Sequence, residues 1–449
     1  MTAIILAAGQ SKRMKSTTPK VAHKILGKEM IRWILDAVRA AGVNRMVVVT
    51  GHGAEVVEPL VNNAAITVRQ EEQLGTGHAV MVASDYIDDE VLVLPGDVPL
   101  IRSATLKELV MKRVAGNSDL AVLTFVPKDP SGYGRIVREG DRIRIVEDAD
   151  LSESMKGISE VNSSIYAFRG SFLSEALKQL TNDNAQKEYY LTDVVGYANK
   201  ATTLICDDHE EVHGINNRSQ LAQVQKKAQE RINFILMENG VTIQDPDTAY
   251  ISPEVVIGQD TVIEPNVLLS GYTVIGESCV VGPMTRVNNS QIGNGSVVLR
   301  SEIDNARIKD NVTVGPFARI RSGTVLESDS RIGNYVEIKN SLIGRGTKVQ
   351  HLSYIGDAHL GEDVNIGAGT ITCNYDGKKK HRTVIEDRVF VGSNTALVAP
   401  VKIGEGAVIA AGSTVTEDVA PYSLAIARAR QIEKTDRYRP GTPGKESEE

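Results

Sequence analysis

The chain has 449 residues, 41% of them hydrophobic and 24% charged, which excludes a single small core and favours two or three globular domains. A formal net charge of -7 excludes general nucleic-acid binding, which needs a basic face, and no apolar stretch approaches the length of a membrane span. Three widely spaced cysteines, Cys206, Cys279 and Cys373, offer neither a disulfide frame nor metal spacing and point to a reducing cytoplasm.

The N-terminal run "AIILAA" is too short for a signal core and has no basic segment before it. It is the first of several strand-like runs, followed by "RMVVVT", "VLVLPGD" and "DLAVLTFV". Helix-like stretches such as "MIRWILDAVRAAG" and "SATLKELVMKRV" separate them. This alternation, up to about residue 215, predicts a largely parallel sheet with helices on both faces. Ligands of such sheets bind beyond the carboxyl ends of the strands, so the loops after "AIILAA" and "VLVLPGD" are the places to look.

The first of those loops carries Gly9, Lys12, Arg13, Lys15 and Lys20. Amides beside a glycine approach phosphate oxygens closely, and Arg or Lys neutralises their charge, so the loop suits something phosphorylated. It matches neither a GxGxxG nor a Walker pattern, and a basic loop alone is more often a solvated turn. In "GDVPL" an Asp at a strand end, Asp97, is placed either to hold Mg²⁺ against phosphates or to cap the next helix. "QEEQLGTGHAV" adds a Gly-Thr-Gly turn before a helix, and "GYGRIV" a further pair of glycines where a backbone approaches a ligand.

Residues 219 to 237, "SQLAQVQKKAQERINFILM", place Leu221, Val224, Ala228, Ile232 and Ile235 on one helical face, an amphipathic connector closed by the glycine of "ENGVT". Beyond about residue 250 the period becomes six. Ile257, Ile263, Leu269, Ile275, Val281 and Val287 recur at that spacing, as do Val314 to Ile338 and Ile385 to Val415. Glycine often follows the aliphatic residue. A six-residue repeat is the sign of a parallel β-helix, three hexads to a triangular coil, with the aliphatic side chain inside. Flat faces on such a prism favour packing against copies of itself. The insertion "CNYDGKKKHR" falls between two in-register blocks and maps to a loop on one face. The charged end "RYRPGTPGKESEE" reads as a disordered tail.

The order of "LAAGQSKRM", "PKVAHKILGK", "EQLGTGHA", "LPGDVPL", "GYGRIV" and "GINNR", followed by the hexads, resembles the family of bifunctional bacterial N-acetylglucosamine-1-phosphate uridylyltransferases / glucosamine-1-phosphate acetyltransferases over essentially the whole chain. The resemblance implies a Rossmann-like α/β nucleotidyltransferase domain with a mostly parallel sheet, joined by a helix to a left-handed parallel β-helix of hexapeptide repeats. The implied division is 1–218 for uridylyl transfer, 219–239 for a linker helix, 240–427 for acetyl transfer and 428–449 for a tail.

By position, the resemblance implies that Leu6, Ala7, Ala8 and Gly9 contact the nucleotide, with Arg13 and Lys20 on phosphates. Gln70, Gly75 and Thr76 would hold the uracil end, and Asp97 with Asn216 the Mg²⁺. Gly134, Glu147 and Asn162 would hold the amino sugar. Lys12 and Lys15 are left facing solvent. The implied chemistry is attack of the sugar phosphate on the α-phosphorus of UTP, releasing pyrophosphate. "VNSSIYAF" departs from the Asn-Thr-Gly usual in the family after the acidic segment.

In the hexad half, "VQHLSYIGDAHLGEDVNIGAGTITCNYDG" gains polar residues. His351 has a pKa range suited to taking a proton from an attacking amine, although its residue type alone favours a turn histidine, and His359 sits in a similar setting with no role. The resemblance implies His351 as general base, with Arg321, Lys339, Tyr354 and Asn365 on glucosamine 1-phosphate. Asn374 and Tyr375 would complete the acceptor site beside acetyl-CoA, which Ala368, Ser393, Ala411 and Arg428 would contact. Lys378 to Lys380 read as a solvated loop rather than a clamp for coenzyme A phosphate. "RIRSGT" departs from the family's Arg-Pro-Gly, which leaves that loop freer.

The expected partners are small molecules (UTP, N-acetylglucosamine 1-phosphate, glucosamine 1-phosphate and acetyl-CoA), with no nucleic acid and no membrane, in a homotrimer. A nucleotidyltransferase whose β-helix only regulates or oligomerises is the alternative, but a purely structural solenoid has no reason to carry His351 and "NYDG". A regulatory or scaffold subunit would be expected to lose Arg13, Lys20 and Asp97, all of which are present.

Overall fold

Runs rich in Val, Ile, Leu and Ala form the central strands, which are buried on both faces, while the outer strands carry polar and exposed residues. In chain order the strands are β1 (Thr2–Leu6), β2 (Arg45–Thr50), β3 (Ile66–Arg69), β4 (Glu90–Pro95), β5 (Leu120–Phe125), β6 (Arg135–Glu139), β7 (Arg142–Val146), β8 (Val161–Arg169) and β9 (Ala201–Ile205). The computed structural model describes residues 1–9, 12–140, 142–184 and 186–435. Two compact units divide the chain, Met1–Ile232 and a second beginning at Asn233.

The sheet of the first unit has the order β9-β5-β8-β4-β1-β2-β3, with β6 and β7 forming a hairpin beside β8. Along that order β8 runs against its neighbours β4 and β5, and the β6–β7 hairpin is antiparallel as well; β1 pairs in parallel with both β2 and β4. Helices α1 (Met30–Ala40), α2 (Ala54–Val61) and α4 (Ser103–Ala115) bury Ile34, Val57 and Leu109 over one face. Helices α3 (Thr76–Met81), α5 (Gly170–Leu177) and α6 (Asp193–Gly196) bury Val80, Leu173 and Val194 over the other. Pairing Leu6 with Pro95 makes the loops that follow β1 and β4 leave the sheet side by side. Gly96 donates its N–H to the Leu6 carbonyl at 2.8 Å, and a Cβ on Gly96 would stand only 2.9 Å from that oxygen.

Helix α7 (Arg218–Glu238) is the expected connector. Val224 and Ala228 are buried, and Leu221 and Ile232 partly so, over Met14, Ile25, Met30, Leu100 and Ile215. Ile235, expected on the same apolar face, is instead 58% exposed. Beyond Ile232 the helix belongs to the second unit, where Asn233 is the buried residue. Its side-chain amide donates to the carbonyls of Pro246 at 2.9 Å and Ala249 at 3.0 Å, so a polar anchor replaces the apolar one.

The second unit is a left-handed parallel β-helix: three parallel sheets of eleven, ten and nine short strands. Every hexad aliphatic residue named above lies inside. The register slips are changes of coil length. Ile263 pairs with Val281, Val281 with Val298 and Val298 with Val314, spacings of 18, 17 and 16 residues. At the insertion Leu360 pairs with Ile385, and the extra chain leaves the coil without disturbing it. Buried Thr and Ser at the coil corners satisfy backbone groups, as Thr347 does by donating to the Gly361 carbonyl at 2.7 Å and accepting from Val364 N–H at 3.0 Å. Among the described residues no helix is long and apolar enough to cross a membrane. The end of the expected tail, residues 436–449, lies outside the described residues, as does the side chain of Lys12.

Candidate active sites

A cleft of about 710 Å³ opens at the carboxyl ends of β1 and β4, where Leu6, Ala7, Ala8, Gly9, Lys20, Gln70, Gly75, Thr76, Asp97 and Glu147 line it. The Gly75 turn sets one wall. Its φ of +107° is open to glycine, and a Cβ there would stand 2.7 Å from the Tyr189 carbonyl. Gly77 donates its N–H to that carbonyl at 2.7 Å, and Leu191 N–H donates to Thr76 Oγ1 at 3.1 Å, so residues 75–77 and 189–191 are stitched together. Gln70 is buried, its amide donating to the Gly75 carbonyl at 3.0 Å. Gln73, Tyr190 and Thr192 also line the cleft. Gln73 falls inside "QEEQLGTGHAV", where the sequence reading does not single it out, whereas no glycine loop or charge pattern marks Tyr190 and Thr192 in "YYLTD"; only the stitching to Gly75 brings that segment near.

At the phosphate end Lys20 is ion-paired with Asp97. Its ammonium also lies 3.3 Å from Asn216 Oδ1, which accepts from Arg13 Nη2 at 2.9 Å. One carboxylate oxygen and one amide oxygen therefore converge on a single cation. Two hard oxygens with room for phosphates suit Mg²⁺, which keeps most of its shell for water and substrate. Among the described residues no three His, Cys, Asp or Glu side chains cluster as a full protein cage. Arg13 and Asn216 stand outside the cleft lining, at its rim through this contact. Lys15 is exposed, as expected.

Gly134, Glu147 and Asn162 come together at the other end. Asn162 N–H donates to the Gly134 carbonyl at 2.9 Å, and a Cβ on Gly134 would lie 3.5 Å from Glu147 Oε2. Thr192 Oγ1 donates to Glu147 Oε1 at 2.9 Å. Burial pushes the Glu147 carboxyl up, and the like charges of Asp193, Asp150 and Asp148 add to it against the Thr192 bond. The Asn162 amide donates to the hydroxyl of fully buried Tyr166 at 2.7 Å. Ser164, where the family usually has glycine, keeps a φ of +63° at a bulge of β8 and lines the cleft.

In the β-helix, Lys339 and Tyr354 lie on the ten-stranded sheet with Arg321 at the end of one of its strands, whereas Asn365 lies on the eleven-stranded sheet. Arg321 donates to Glu337 Oε1 at 2.6 Å, and that carboxylate holds the guanidinium above its usual range. Tyr354 folds over Gly356, where a Cβ would strike its ring, and Asn374 donates to Asp357 Oδ2 at 2.6 Å. The insertion is a built hairpin: Asp376 Oδ1 accepts from Lys378 and Lys379 N–H, and Tyr375 pairs with Lys380. Lys378, Lys379 and Lys380 are all exposed, as a solvated loop requires. The like charge of neighbouring Lys380 holds the Lys339 ammonium below the ordinary lysine range. Lys380 therefore lies beside Lys339 while remaining exposed like the rest of the run.

His351 lies over Asn334 in the parallel register, Nδ1 to Oδ1 at 3.1 Å, and Asn365 pairs beside Lys348 on the same strand. Ala368, Ser393 and Ala411 follow in successive coils. Asn394 N–H donates to the Ala368 carbonyl at 2.7 Å and Gly412 N–H to the Ser393 carbonyl at 2.8 Å. A Cβ on Gly392 would meet Ala411 N, so glycine is required at that step of the ladder. Arg428 is exposed, its Cδ 3.9 Å from where a Cβ on Gly412 would stand.

A largely parallel α/β cleft with a basic loop beside it, followed by a hexad β-helix, defines a nucleotidyltransferase fused to a hexapeptide transferase. Residues 3–188 match the MobA-like NTP transferase domain, and residues 305–340 and 382–417 match the bacterial transferase hexapeptide (six repeats). The chain is 52% identical over 436 residues to the bifunctional protein GlmU of Thermotoga petrophila, covering 97% of this chain and 98% of that one. The corresponding protein of Carboxydothermus hydrogenoformans is 52% identical over 443 residues, covering 97% and 99%, and that of Fervidobacterium nodosum 53% over 436 residues, covering 97% and 96%. The chain belongs to the GlmU family of bifunctional proteins. It is an enzyme with uridylyltransferase and acetyltransferase activities that makes UDP-N-acetylglucosamine, as the sequence resemblance implied.

Proposed function

We propose that the two sites act in series, each carried by the residues that converge in it. In the β-helix, His351 takes a proton from the amine of glucosamine 1-phosphate as it attacks the thioester of acetyl-CoA; the C–N bond forms and coenzyme A leaves as the thiol. Arg321, Lys339 and Lys380 form a cationic cradle for the sugar phosphate, with Tyr354 and Asn365 beside it. Ala368, Ser393 and Ala411 offer a small-residue track for acetyl-CoA, with Asn374, Tyr375 and Arg428 at its margins.

In the α/β cleft, Leu6 to Gly9 approach the nucleotide, Gln70, Gly75 and Thr76 hold the uracil end, and Gly134, Glu147 and Asn162 hold the N-acetylated sugar. Its phosphate oxygen bonds to the α-phosphorus of UTP, and the bond to pyrophosphate breaks. Mg²⁺, when bound, neutralises charge on the reacting phosphates. Asp97 and Asn216 would hold it, and Arg13 and Lys20 would take the phosphate oxygens, the leaving pyrophosphate included. The functional division is 1–218 for uridylyl transfer, 219–239 as linker and 240–427 for acetyl transfer. The enzyme works in the cytoplasm as the homotrimer that the family resemblance implies, and the flat β-helix faces suit packing against copies of the chain. An apolar corner next to His351 supports a second copy there: Phe317 and Tyr335 stack at 5.4 Å yet stay 48% and 59% exposed.

The observation that carries the reading is the meeting of Lys20, Arg13, Asp97 and Asn216 at one end of a cleft whose other end holds Glu147. The test supplies purified protein with Mg²⁺, UTP, acetyl-CoA and glucosamine 1-phosphate while free thiol and pyrophosphate are followed together. Both should appear, thiol first; thiol without pyrophosphate, or the converse, would show one half silent.

A further inference from the structure

The geometry points to Gln220 as the positioning residue for Asn216, which makes helix α7 part of the metal end of the uridylyltransferase site rather than only a connector. This rests on the reading that Asn216 and Asp97 share the metal.

Helix α7 begins at Arg218, so Asn217 is its N-cap: Asn217 Oδ1 accepts from Gln220 N–H at 2.9 Å, and its carbonyl accepts from Leu221 N–H at 3.0 Å. A Gln at the third helical position usually returns its side chain to the N–H of the cap residue, closing a reciprocal box. Here the side chain reaches one residue further. Gln220 Oε1 accepts from the N–H of Asn216 at 2.7 Å. On the other side, Ile215 N–H donates to the Asp97 carbonyl at 3.1 Å. Asn216 is therefore gripped from both flanks, by the Asp97 loop before it and the helix cap after it. That grip turns its Oδ1 toward Lys20 and Arg13.

The helix offering this bond is itself fixed to the other two parts of the site. Val224 and Ala228 pack with Met14, from the basic loop, and with Leu100, from the segment after Asp97. Arg231 adds a polar clamp, donating to the Leu100 carbonyl at 2.7 Å and pairing with Asp208 at 2.9 Å. The basic loop, the Asp97 loop and the Asn216 turn thus share one frame, and Gln220 is where that frame touches a proposed metal ligand.

The test uses the full chain with UTP and titrates Mn²⁺, reading free Mn²⁺ by electron paramagnetic resonance. Losing one hydrogen bond to the ligand-bearing backbone should weaken Mn²⁺ binding roughly three- to tenfold in Gln220→Ala and in the near-isosteric Gln220→Met. Gln220→Glu, which keeps an acceptor oxygen, should restore it. In assays, the two weakened variants should need more Mg²⁺ and regain kcat at saturating metal. A role confined to helix stability would lower the thermal midpoint and leave the Mn²⁺ constant unmoved, and that result overturns the inference. Asn216→Ala separates the two readings. If it leaves Mn²⁺ binding unchanged, the metal assignment itself fails; if it weakens binding while both Gln220 variants bind normally, only the positioning role fails.

Discussion

His351 and Asn334 face each other across one coil of the β-helix, with Nδ1 3.1 Å from Oδ1. An amide oxygen only accepts, so a neutral His351 bonded to it carries its proton on Nδ1 and keeps the Nε2 lone pair for the substrate amine. His351→Ala should lower kcat for acetyl transfer by roughly 10²- to 10⁴-fold, the usual worth of a general base, with pyrophosphate release from added N-acetylglucosamine 1-phosphate unaffected. Asn334→Ala removes only the orientation and should cost roughly tenfold in kcat with little change in KM for acetyl-CoA. Thiol release under saturating substrates reads both; equal losses in the two variants would show that the ring needs Asn334 for more than its tautomer.

The hexads were legible because each aliphatic residue answers to one constraint, a dry prism interior, and the period survives every change of coil length. Ile235 misled because hydrophobic spacing records that a face is apolar, not which unit lies against it; Asn233, a polar residue, holds the buried position instead. The hairpin of the insertion was illegible for a related reason. A run of three lysines is uniform in sequence, and only the turn at Asp376, which accepts from Lys378 and Lys379 N–H, brings Lys380 back to pair with Tyr375.

Glu147 gives the uridylyl site a pH signature. Burial raises its pKa above the ordinary 4.5, so the folded chain takes up the proton more readily than the unfolded chain. The sign is that of a destabilising carboxylate: the penalty for its charge is absent below the unfolded pKa and complete above the folded one. Glu147→Gln should therefore unfold at higher temperature than the parent at neutral pH, with the gap closing as pH falls toward 4.5. In assays the parent's KM for N-acetylglucosamine 1-phosphate should rise as Glu147 protonates, at a pH above the usual carboxylate range. Glu147→Gln should show no such limb, and a limb surviving in the variant would assign the titration to another group.

Ser164 occupies a left-handed backbone position, φ +63°, at the bulge that turns Asn162 toward Tyr166. A serine there costs about 1 kcal/mol relative to glycine, a cost invisible in sequence because the bulge appears only once β8 pairs. Ser164→Gly should stabilise the first unit by up to about 1 kcal/mol, offset in part by the greater freedom of glycine in the unfolded chain. A rise in urea midpoint without a change in slope reads this. Because Ser164 lines the sugar end of the cleft, KM for the sugar phosphate should shift while KM for UTP stays, and a change confined to UTP would move the serine's role to the nucleotide.

Lys20 and Asp97 are ion-paired where the loops after β1 and β4 emerge side by side, and they carry opposite duties in the proposed reaction. Asp97 is the carboxylate that meets Lys20 there, so Asp97→Asn keeps the shape and an oxygen but removes the charge that would hold a divalent cation. Lys20→Met keeps the length and removes the cation facing the phosphates. Each should lower pyrophosphate release by roughly 100-fold or more, the scale of losing one preorganised charge at a reacting centre. The two should differ in metal response. Raising Mg²⁺ should partly recover Asp97→Asn, whose defect is affinity, and should leave Lys20→Met unchanged, because its ligand pair is intact and the missing charge is on another group. Thiol release from acetyl-CoA and glucosamine 1-phosphate should match the parent in both variants. Recovery of Lys20→Met by Mg²⁺, with Asp97→Asn inert to it, would reverse the roles assigned to the two residues.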